Sequence, residues 1–436
     1  MSSSPGGLLA VGGLLLILAS GCAGSDAGAG RLAFGVPDTV AVDQVLPVFS
    51  GSASASASAT GDGAFAQIVA SEPPMPLIEG GVIVRPLVAA ADAPDAPAPV
   101  LRRATFVFSG DTLPHSPVVR AANTFAGGAG FDFAPMFARI ASVISAADLA
   151  VCHLETPIAP PGSALSTYPQ YGVPAEVTVG LASAGYDRCS TASNHTIDRG
   201  VAGIDATVDA LAAVAVSQAG MARNPAEATV ALLDVNGINV AHLSFTMDLN
   251  GGHLPISEPW RSNIISADAV IAAAQDARAR GADVVIVSLH WGTERRNTPN
   301  DFQIRIADAV TASGAVDLIV GHHAHVIQPI QQINDRWVVF GLGNFLSNMP
   351  TGDTWPASTQ DGMMVTTAIT EQADGTFVVD RPVVVPTWVD RSNGFVIRPV
   401  IADLADPSVS DAVKAQLSAS LARTSAVVGE FVTGSG

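Results

Sequence analysis

The amino-acid sequence predicts an α/β fold in which helices cover a layered β-sheet. From residue 102 to residue 320, apolar runs of strand length alternate with helical patterns of about 10–15 residues, which is typical of strands joined by crossover helices. Hydrophobic residues make up 48% of the 436 residues, which is enough for a large core and excludes a wholly disordered chain.

Each predicted element follows from its own pattern. Short apolar runs predict strands, and apolar residues at helical spacing predict helices. In chain order these are a strand at 105–108, a helix at 135–146, a strand at 148–154, a helix at 174–184, a strand at 186–191, a helix at 200–214, a strand at 238–245, a helix at 267–280, a strand at 283–289, a helix at 302–313 and a strand at 317–320. After residue 337 the pattern changes to strands at 337–341, 362–370, 376–385 and 394–400, followed by a helix at 410–421.

The charge balance argues against a nucleic-acid partner. The chain has 39 acidic and 21 basic side chains, a formal net charge of −18, and Lys414 is its single lysine. Nucleic-acid surfaces need clustered Lys and Arg to neutralise phosphates. We therefore expect no nucleic-acid partner, and we interpret the acidity as a means of keeping an alanine-rich protein soluble.

The N-terminus predicts an export signal. Residues 7–19 form an apolar run shorter than the roughly 20 residues that span a bilayer, and small residues follow it before Cys22. This pattern resembles a bacterial lipoprotein signal, in which the cysteine is lipidated and becomes the mature N-terminus. An ordinary secretion signal cut nearby is the alternative. We expect residues 1–21 to be removed and Cys22 to anchor an exported protein to the outer membrane or the cell surface.

Residues 22–100 predict a tether between the anchor and a folded domain. Ser and Ala alternate strictly from residue 52 to residue 59, and Ala, Asp and Pro recur from 89 to 99. Such low-complexity stretches bury too little apolar area to offset the cost of ordering them. The folded domain is predicted at 101–432, with its core motifs at 104–347 and C-terminal strands and a helix at 360–425.

The two remaining cysteines leave two possibilities open. Cys152 lies near the end of one predicted strand and Cys189 in the next β-element, so parallel pairing of these strands would bring them together. A compartment outside the cytoplasm permits a disulfide if the Cα atoms lie within ~7 Å. Two free thiols are the alternative, because small buried cysteines are common core residues.

Polar residues that carry chemistry lie just after the predicted strands, the edge at which α/β folds gather their sites. They are Asp111, Glu155, Asn194, His195, His290 and the three histidines of the run Gly321-His322-His323-Ala324-His325. Imidazoles together with carboxylates suit divalent metals such as Zn, Mn or Fe. A single aspartate after a strand usually caps a turn, and a single histidine can be an ordinary core residue. Three histidines in five residues are harder to explain by packing, so the set favours metal binding.

Six short segments follow one another in a fixed order along the chain. They are Gly110-Asp111, Leu154-Glu155, Asn194-His195-x-x-Asp198-x-Gly200, His290-Trp291-Gly292-x-Glu294, Gly321-His322-His323-x-His325-Val326-x-Gln328 and Gly341-Leu342-Gly343-Asn344-Phe345. Over about residues 104–347 this order resembles the CapA family of poly-γ-glutamate capsule-synthesis proteins, whose domain is similar to the calcineurin-like metallophosphatases. His153 and Ser193 depart from the family pattern, which usually has Asn at both positions. The resemblance implies an α/β sandwich of two mixed β-sheets flanked by helices, with a two-metal site at one edge.

The resemblance implies a role for each of these side chains. The ligands of two divalent metal ions would be Asp111, Glu155, Asn194, His290, His323 and His325. Glu155 would bridge the two ions. His195 would donate a proton or contact the transition state, and Asp198 would orient its loop. Glu294 and Arg295 are expected to contact the substrate.

The resemblance also implies a function. We expect an exported, lipid-anchored protein that acts in the synthesis, export or anchoring of poly-γ-glutamate or a similar surface polymer. Its site would hydrolyse a phosphoester or a γ-glutamyl amide, and its partners would be the anionic polymer and subunits of a membrane-bound synthase. Two alternatives stay open: a metal-stabilised accessory protein without turnover, and a surface phosphodiesterase unrelated to the capsule.

Overall fold

The computed structural model describes residues 101–349, 351–352 and 355–432. The predicted signal peptide, the lipid anchor at Cys22 and the tether lie outside the described residues and stay predictions. Within the described part of the chain, no helix is long and apolar enough to cross a membrane.

Strands and helices follow one another along the described chain. The strands are β1 (Arg103–Leu113), β2 (Leu149–Leu154), β3 (Arg188–Ser190), β4 (Ser217–Ala219), β5 (Leu232–Val235), β6 (Ile238–Thr246), β7 (Val284–His290), β8 (Leu318–His322), β9 (Ile330–Ile333), β10 (Arg336–Val339), β11 (Asn344–Ser347), β12 (Asp361–Glu371), β13 (Phe377–Val379), β14 (Val383–Asp390) and β15 (Val396–Pro399). The α-helices are α1 (Ser116–Phe125), α2 (Ala134–Phe137), α3 (Ala141–Ile144), α4 (Glu176–Ala184), α5 (Gly200–Ala213), α6 (Pro225–Ala228), α7 (Ala267–Ala279), α8 (Asp301–Ala312), α9 (Val400–Ala405) and α10 (Asp411–Val428).

The strands form two mixed sheets. The first sheet has the order β15-β14-β12-β1-β2-β3-β4, with β11 beside β1 and β13 beside β12. Strands β1 to β4 pair in parallel, whereas β12 runs antiparallel to β1. The second sheet has the order β5-β6-β7-β8-β10-β9, and its four central strands are parallel. The predicted α/β fold of two mixed sheets flanked by helices is confirmed.

Three apolar layers hold the sheets and helices together. The layer between the two sheets includes Phe106 and Phe108 of β1, Val151 of β2 and Ile286 of β7, which occupy alternate positions along their strands. A second layer joins the first sheet to helices α1–α5, and a third joins the second sheet to α7 and α8. Because the central parallel strands are covered on both faces, their sequences are nearly continuous apolar runs.

Cys152 and Cys189 form a disulfide. They stand opposite each other in the parallel pairing of β2 and β3, with their Cα atoms 4.4 Å apart. Both lie in the layer between the first sheet and its helices. Of the two possibilities that the sequence leaves open, the structure contains the disulfide.

Two predicted elements are each divided in the structure. The predicted helix at 135–146 is the pair α2 and α3, whose turns bury Phe137 and Ile144 in the same layer without a continuous helix. The predicted strand at 376–385 is the pair β13 and β14, with Pro382 between them. Proline has no N–H to donate to a strand ladder, so pairing stops there and resumes beyond it.

Candidate metal centre

The histidines at the strand ends lie on the faces that the two sheets turn towards each other. On β2, β7 and β8 these faces carry apolar residues. His153 and His322 lie two positions after the last of these residues on β2 and β8, and His290 lies four positions after Ile286 on β7, beyond Ser288. Side chains at alternate positions of a strand share one face. The carboxyl ends of the parallel strands therefore bring three imidazoles into one buried space.

Nine side chains meet in this space, and we refer to them together as the candidate metal centre. They are Asp111, His153, Glu155, Asn194, His290, Glu294, His322, His323 and His325. Within the described residues, three sets of donor atoms each lie within 4.8 Å of one another: Asp111 with His153 and His322, Asp111 with Glu155 and His325, and Glu294 with His323 and His325.

Asp111 is a buried carboxylate held by three nitrogen atoms. Its Oδ1 lies 3.2 Å from His322 Nδ1, and its Oδ2 lies 3.1 Å from His325 Nδ1. The same Oδ2 accepts the backbone N–H of His323 at 3.2 Å. Burial alone would raise the pKa of the Asp111 carboxyl, but the hydrogen bonds from His322 and His325 hold this pKa well below its usual range. Asp111 is therefore negatively charged at neutral pH.

Glu155 is fully buried, and neither of its carboxylate oxygens has a hydrogen-bond partner among the described residues. The closest imidazole nitrogens to Oε1 are His325 Nε2 at 3.7 Å and His290 Nε2 at 3.9 Å. Burial raises the pKa of Glu155 well above its ordinary value, because a bare carboxylate loses its hydration without compensation. Buried polar groups nearly always have partners, so this carboxylate is arranged for a group other than a protein side chain.

Apart from His325, the imidazole and amide groups around Glu155 are electrically neutral. His290 Nε2 lies 2.9 Å from Asn194 Oδ1 and 3.1 Å from His323 Nδ1, and His290 Nδ1 lies 3.0 Å from His153 Nε2. Burial lowers the pKa of His323 to about 4 and lowers the pKa values of His153 and His290 well below their usual range. Neutral imidazole is the form that binds metal ions, so these side chains are ready to do so at pH 7.

His325 differs from the other imidazoles in its charge. Burial would lower its pKa, but the carboxylates of Glu155 and Asp111 prevail and raise the pKa of His325 to about 9. In the metal-free protein this histidine thus carries the positive charge that partly balances the two carboxylates. A divalent cation supplies more charge at the same place, and its binding releases the proton.

The backbone after β8 is left-handed at two histidines. The φ angles of His323 and His325 are +83° and +56°, a region that non-glycine residues rarely occupy. Gly321 just before them leaves no room for a side chain, because a Cβ there would lie 1.9 Å from the carbonyl oxygen of Phe340. Unusual backbone angles persist where the surrounding structure holds them, and they cluster at functional sites.

His195 and Asp198 lie beside the candidate metal centre and are joined to each other. His195 Nδ1 lies 2.7 Å from Asp198 Oδ2, which also accepts the backbone N–H of Tyr171 at 2.7 Å. Asn250 Nδ2 lies 3.4 Å from the same His195 nitrogen. This arrangement fixes the imidazole ring through Nδ1 and leaves Nε2 as the nitrogen open to a substrate.

Two pockets, each of about 470 Å³, share Tyr168, His195 and Glu294 among their walls. One of them is also lined by Asn194, and the other by His325, so both reach residues of the candidate metal centre. His195 and Glu294 thus lie beside the predicted metal ligands in an open cleft.

Arg295, predicted to contact a substrate, packs on an aromatic ring that lines one of these two pockets. Its guanidinium lies 4.8 Å from the centroid of the Trp355 ring. Its backbone is left-handed, with φ at +65°, and its N–H donates to the carbonyl of Ala324 at 2.7 Å. Arg295 thereby ties the loop after β7 to the histidine turn after β8.

All six side chains predicted as ligands come together in the structure, and two further histidines join them. His153 is a departure from the family pattern and His322 has no predicted role, yet both are grouped with Asp111. Their rings stack with centroids 3.9 Å apart. The sequence carries a signal for both, because each histidine lies two positions after an apolar residue that faces the space between the sheets.

The donor set fits a divalent metal ion. Asp111 and Glu155 offer carboxylate oxygens, and several of the imidazoles around them are neutral. The unpartnered oxygens of Glu155 are the atoms that a cation would satisfy. This mixture of nitrogen and oxygen donors suits Zn, Mn or Fe.

Solved structures with related architecture include several hydrolases. A phosphatase from Mycoplasma pneumoniae is 13% identical with a TM-score of 0.40, and the match covers 66% of this chain and 94% of that one. The calcineurin-like phosphoesterase YfkN from Bacillus subtilis is 14% identical with a TM-score of 0.38, and the match covers 74% of this chain and 99% of that one.

Curated relatives are closer in sequence. The chain is 33% identical over 193 residues to the PGA biosynthesis protein CapA of Bacillus subtilis, a match that covers 44% of this chain and 49% of the relative. It is 32% identical over 175 residues to the capsule biosynthesis protein CapA of Bacillus anthracis, covering 39% of this chain and 42% of the relative. The matches thus span about half the length of these relatives or less. The family model for the bacterial capsule synthesis protein PGA_cap matches residues 105–349, and the chain belongs to this family.

Proposed function

We propose that this protein acts in the synthesis of a poly-γ-glutamate capsule and that its candidate metal centre holds two divalent ions that hydrolyse a bond of the polymer or of a linked phosphoester. Family membership and relatives named for PGA and capsule biosynthesis support the capsule role. The observation that carries the hydrolytic role is the buried Glu155 carboxylate, both of whose oxygens lack a partner among the described residues.

The residues that would hold the metals are the six predicted ligands together with the histidines that the structure adds. Glu155 would bridge the ions, which accounts for its two free oxygens. Two divalent ions in such a site activate a water molecule and stabilise the charge that develops on the attacked group. The metal is Mn, Zn or Fe according to the donor chemistry.

The protein's own groups bind and orient the substrate and move a proton. His195, held through Nδ1 by Asp198, presents Nε2 to the pocket and would protonate the leaving oxygen or nitrogen there. Glu294 and Tyr168 line both pockets together with His195. Arg295, fixed on Trp355, lies on the loop that carries Glu294 and would attract an anionic polymer.

The test combines metal analysis with a substrate screen on one preparation of the full chain. We expect about two equivalents of Mn, Zn or Fe after reconstitution, and metal-dependent cleavage of either γ-glutamyl oligomers or bis(p-nitrophenyl) phosphate. Cleavage of the phosphate diester alone, with surface polymer unchanged on deletion of the protein, would favour a phosphodiesterase outside capsule synthesis. Absence of stoichiometric metal after reconstitution would refute the metal centre.

A second candidate function is that of an accessory protein that binds metal without turnover. Two relatives from Mycobacterium tuberculosis, each 25% identical over 222 residues, are named probable polyglutamine synthesis accessory proteins. Such a protein would bind the synthase or the growing polymer. Stoichiometric metal together with no turnover on either substrate class would favour this function over hydrolysis.

The proposed location is the outer membrane or the cell surface, through a lipid on Cys22. The Cys152–Cys189 disulfide supports export, because disulfides persist outside the reducing cytoplasm. Replacing Cys22→Ser should move the protein from membranes into the soluble exported fraction. Equal membrane association of the parent and the variant in a fractionation experiment would refute the lipid anchor.

A further inference from the structure

Arg188, the first residue of β3, is a buried cation without a carboxylate partner among the described residues. Its Nε donates to His242 Nδ1 at 3.0 Å, Nη1 donates to Ser217 Oγ at 3.1 Å, and Nη2 donates to the carbonyl of His242 at 3.2 Å. The imidazole is neutral, since burial and the charge of Arg188 lower the pKa of His242 well below its usual range. A guanidinium has five N–H donors, so one on each terminal nitrogen stays uncommitted.

Two other buried arginines show what this protein does with such charges elsewhere. Arg261 is 7% exposed and contacts the carboxylates of Glu258 and Asp205, and Arg398 is 8% exposed and contacts those of Asp390 and Asp403. Arg188 is only 2% exposed and contacts neutral groups. A charge taken out of water without a counter-charge is costly, so a partner from outside the described residues is expected.

A pocket of about 350 Å³ opens onto Arg188 at the edge of the sandwich where β4 lies. Its walls include Arg188, Val208, Ser217, Met221, Trp260 and Asn263. None of its lining residues belongs to the candidate metal centre, so the two are separate sites. The pocket therefore combines one buried cation with a largely apolar wall.

The charges of the side chains that line this pocket indicate the class of ligand. Arg223 and Glu227 also line the pocket, and their opposite charges pair with each other. Asp209, the second partner of Arg223, is exposed and is not among the lining residues. One positive charge thus remains, on Arg188. A guanidinium with an uncommitted N–H on each terminal nitrogen matches the two oxygens of a carboxylate, and a single charge balances a monoanion better than a phosphate dianion.

We propose that this pocket binds a small monocarboxylate, whose two oxygens contact Arg188 and whose hydrocarbon part packs against Val208, Met221 and Trp260. The site is independent of the metals and of the proposed hydrolysis. It gives the protein a second ligand, recognised at the opposite edge of the first sheet from β15.

The test is a binding measurement on the full chain with EDTA present, so that the metal centre contributes nothing. Butyrate and its neutral analogue butyramide are titrated by calorimetry or by ligand-observed NMR, and inorganic phosphate is the third probe. We expect saturable 1:1 binding of butyrate. Butyramide and phosphate should bind more weakly by about tenfold or more, because butyramide lacks the negative charge and phosphate lacks the shape of a carboxylate.

Three variants locate the site. Ala212→Phe on the pocket wall should abolish butyrate binding, whereas Ala213→Phe, a neighbour on α5 outside the pocket, should leave it unchanged. Arg188→Lys keeps the positive charge but loses the guanidinium group that can contact both carboxylate oxygens at once. Butyrate binding should therefore weaken by about tenfold. If Arg188→Lys fails to fold, as judged by thermal melting, the comparison of Ala212→Phe with Ala213→Phe still tests the proposal. Equal binding of butyramide, tighter binding of phosphate, unchanged binding in Ala212→Phe, or no saturation at millimolar butyrate would overturn the proposal.

Discussion

Two buried groups of charged residues in this protein are satisfied in opposite ways. Around helix α9, the arginine network consists of Arg139, Arg398, Asp390, Asp403 and Asp406. In it, Arg398 donates to Asp390 at 2.7 Å and to Asp403 at 2.8 Å, and Arg139 donates to the other oxygen of Asp403 at 2.6 Å. In the candidate metal centre, Glu155 is equally buried and accepts no hydrogen bond among the described residues.

The comparison separates a structural cluster from a functional one. Every carboxylate of the arginine network that is buried has a cation or an N–H partner, so the network needs nothing more and joins α9 to β14 and β15. The candidate metal centre keeps both oxygens of Glu155 without a partner among the described residues and the imidazoles of His153, His290 and His323 uncharged, at a cost in stability. Proteins tolerate such unsatisfied groups mainly at sites that act on something else.

The largest expected effect comes from removing two histidines of the candidate metal centre. His323→Ala together with His325→Ala should reduce bound metal from about two equivalents to less than one and abolish turnover, because two ligands are lost. Metal analysis and circular dichroism on the same sample check this, with the fold retained. His253→Ala, at an exposed histidine, is the matched control and should keep both metals. Full metal content in the double variant would make these histidines structural.

Loss of the proton donor should reduce turnover while the metals stay bound. His195→Ala removes a side chain that bonds Asp198 rather than a metal ligand. Turnover should fall by roughly 10²–10⁴-fold, the usual contribution of general acid–base groups. Steady-state kinetics and metal analysis are needed together. A variant that lost its metals as well would place His195 among the ligands and contradict the assigned role.

Breaking the arginine network should lower the stability of the fold and leave the metal content unchanged. Arg398→Met leaves Asp390 without its cation in a buried place, which should lower the free energy of unfolding by about 3–5 kcal/mol. Arg381→Met is the matched control, since its pair with Glu430 is exposed and worth about 0–1 kcal/mol. Denaturant titration measures both. Reduced metal content in Arg398→Met would show that the two clusters are coupled.

The smallest expected effect concerns a partly exposed pair and depends on pH. Hydrogen bonds from Arg102 lower the pKa of Glu371 from 4.5 to about 2. The pair therefore contributes stability above pH 4.5, and this contribution disappears as the pH falls towards 2. Glu371→Gln should be slightly less stable than the parent at pH 6 and equal to it near pH 2 in thermal melts. A stability difference that grew on acidification would contradict the sign.

The sequence predicts most of this fold because its central strands are long apolar runs. β2, β6 and β7 lie within a residue or two of their predicted bounds, since both faces of each strand are buried. The short edge strands β4, β5 and β9 are not predicted, because three or four residues give little periodicity. Pro382 is a signal for this break, but the apolar residues on either side of it predict a single strand.

The candidate site is predictable in its members and less so in its geometry. The resemblance carried by the motif order implies six ligands, and these six side chains meet in the structure. The stacking of His153 on His322 could not be predicted, because it depends on how far apart the two sheets lie. Nor does the sequence reveal that Arg188 has no carboxylate partner in the part of the chain that the structure describes, since its surroundings come from β3, β4 and β6 together.

The alternation along β2 has a consequence for how this strand tolerates mutation. Cys152 points into the layer beneath the helices and His153, the next residue, points into the space between the sheets. Loss of the disulfide would therefore weaken the scaffold from the helix side without removing a donor. A saturation library of this strand should consequently set His153 apart from its neighbours: variants at the buried apolar positions of either face should fall in abundance, and variants at His153 should fall in metal occupancy while abundance changes less.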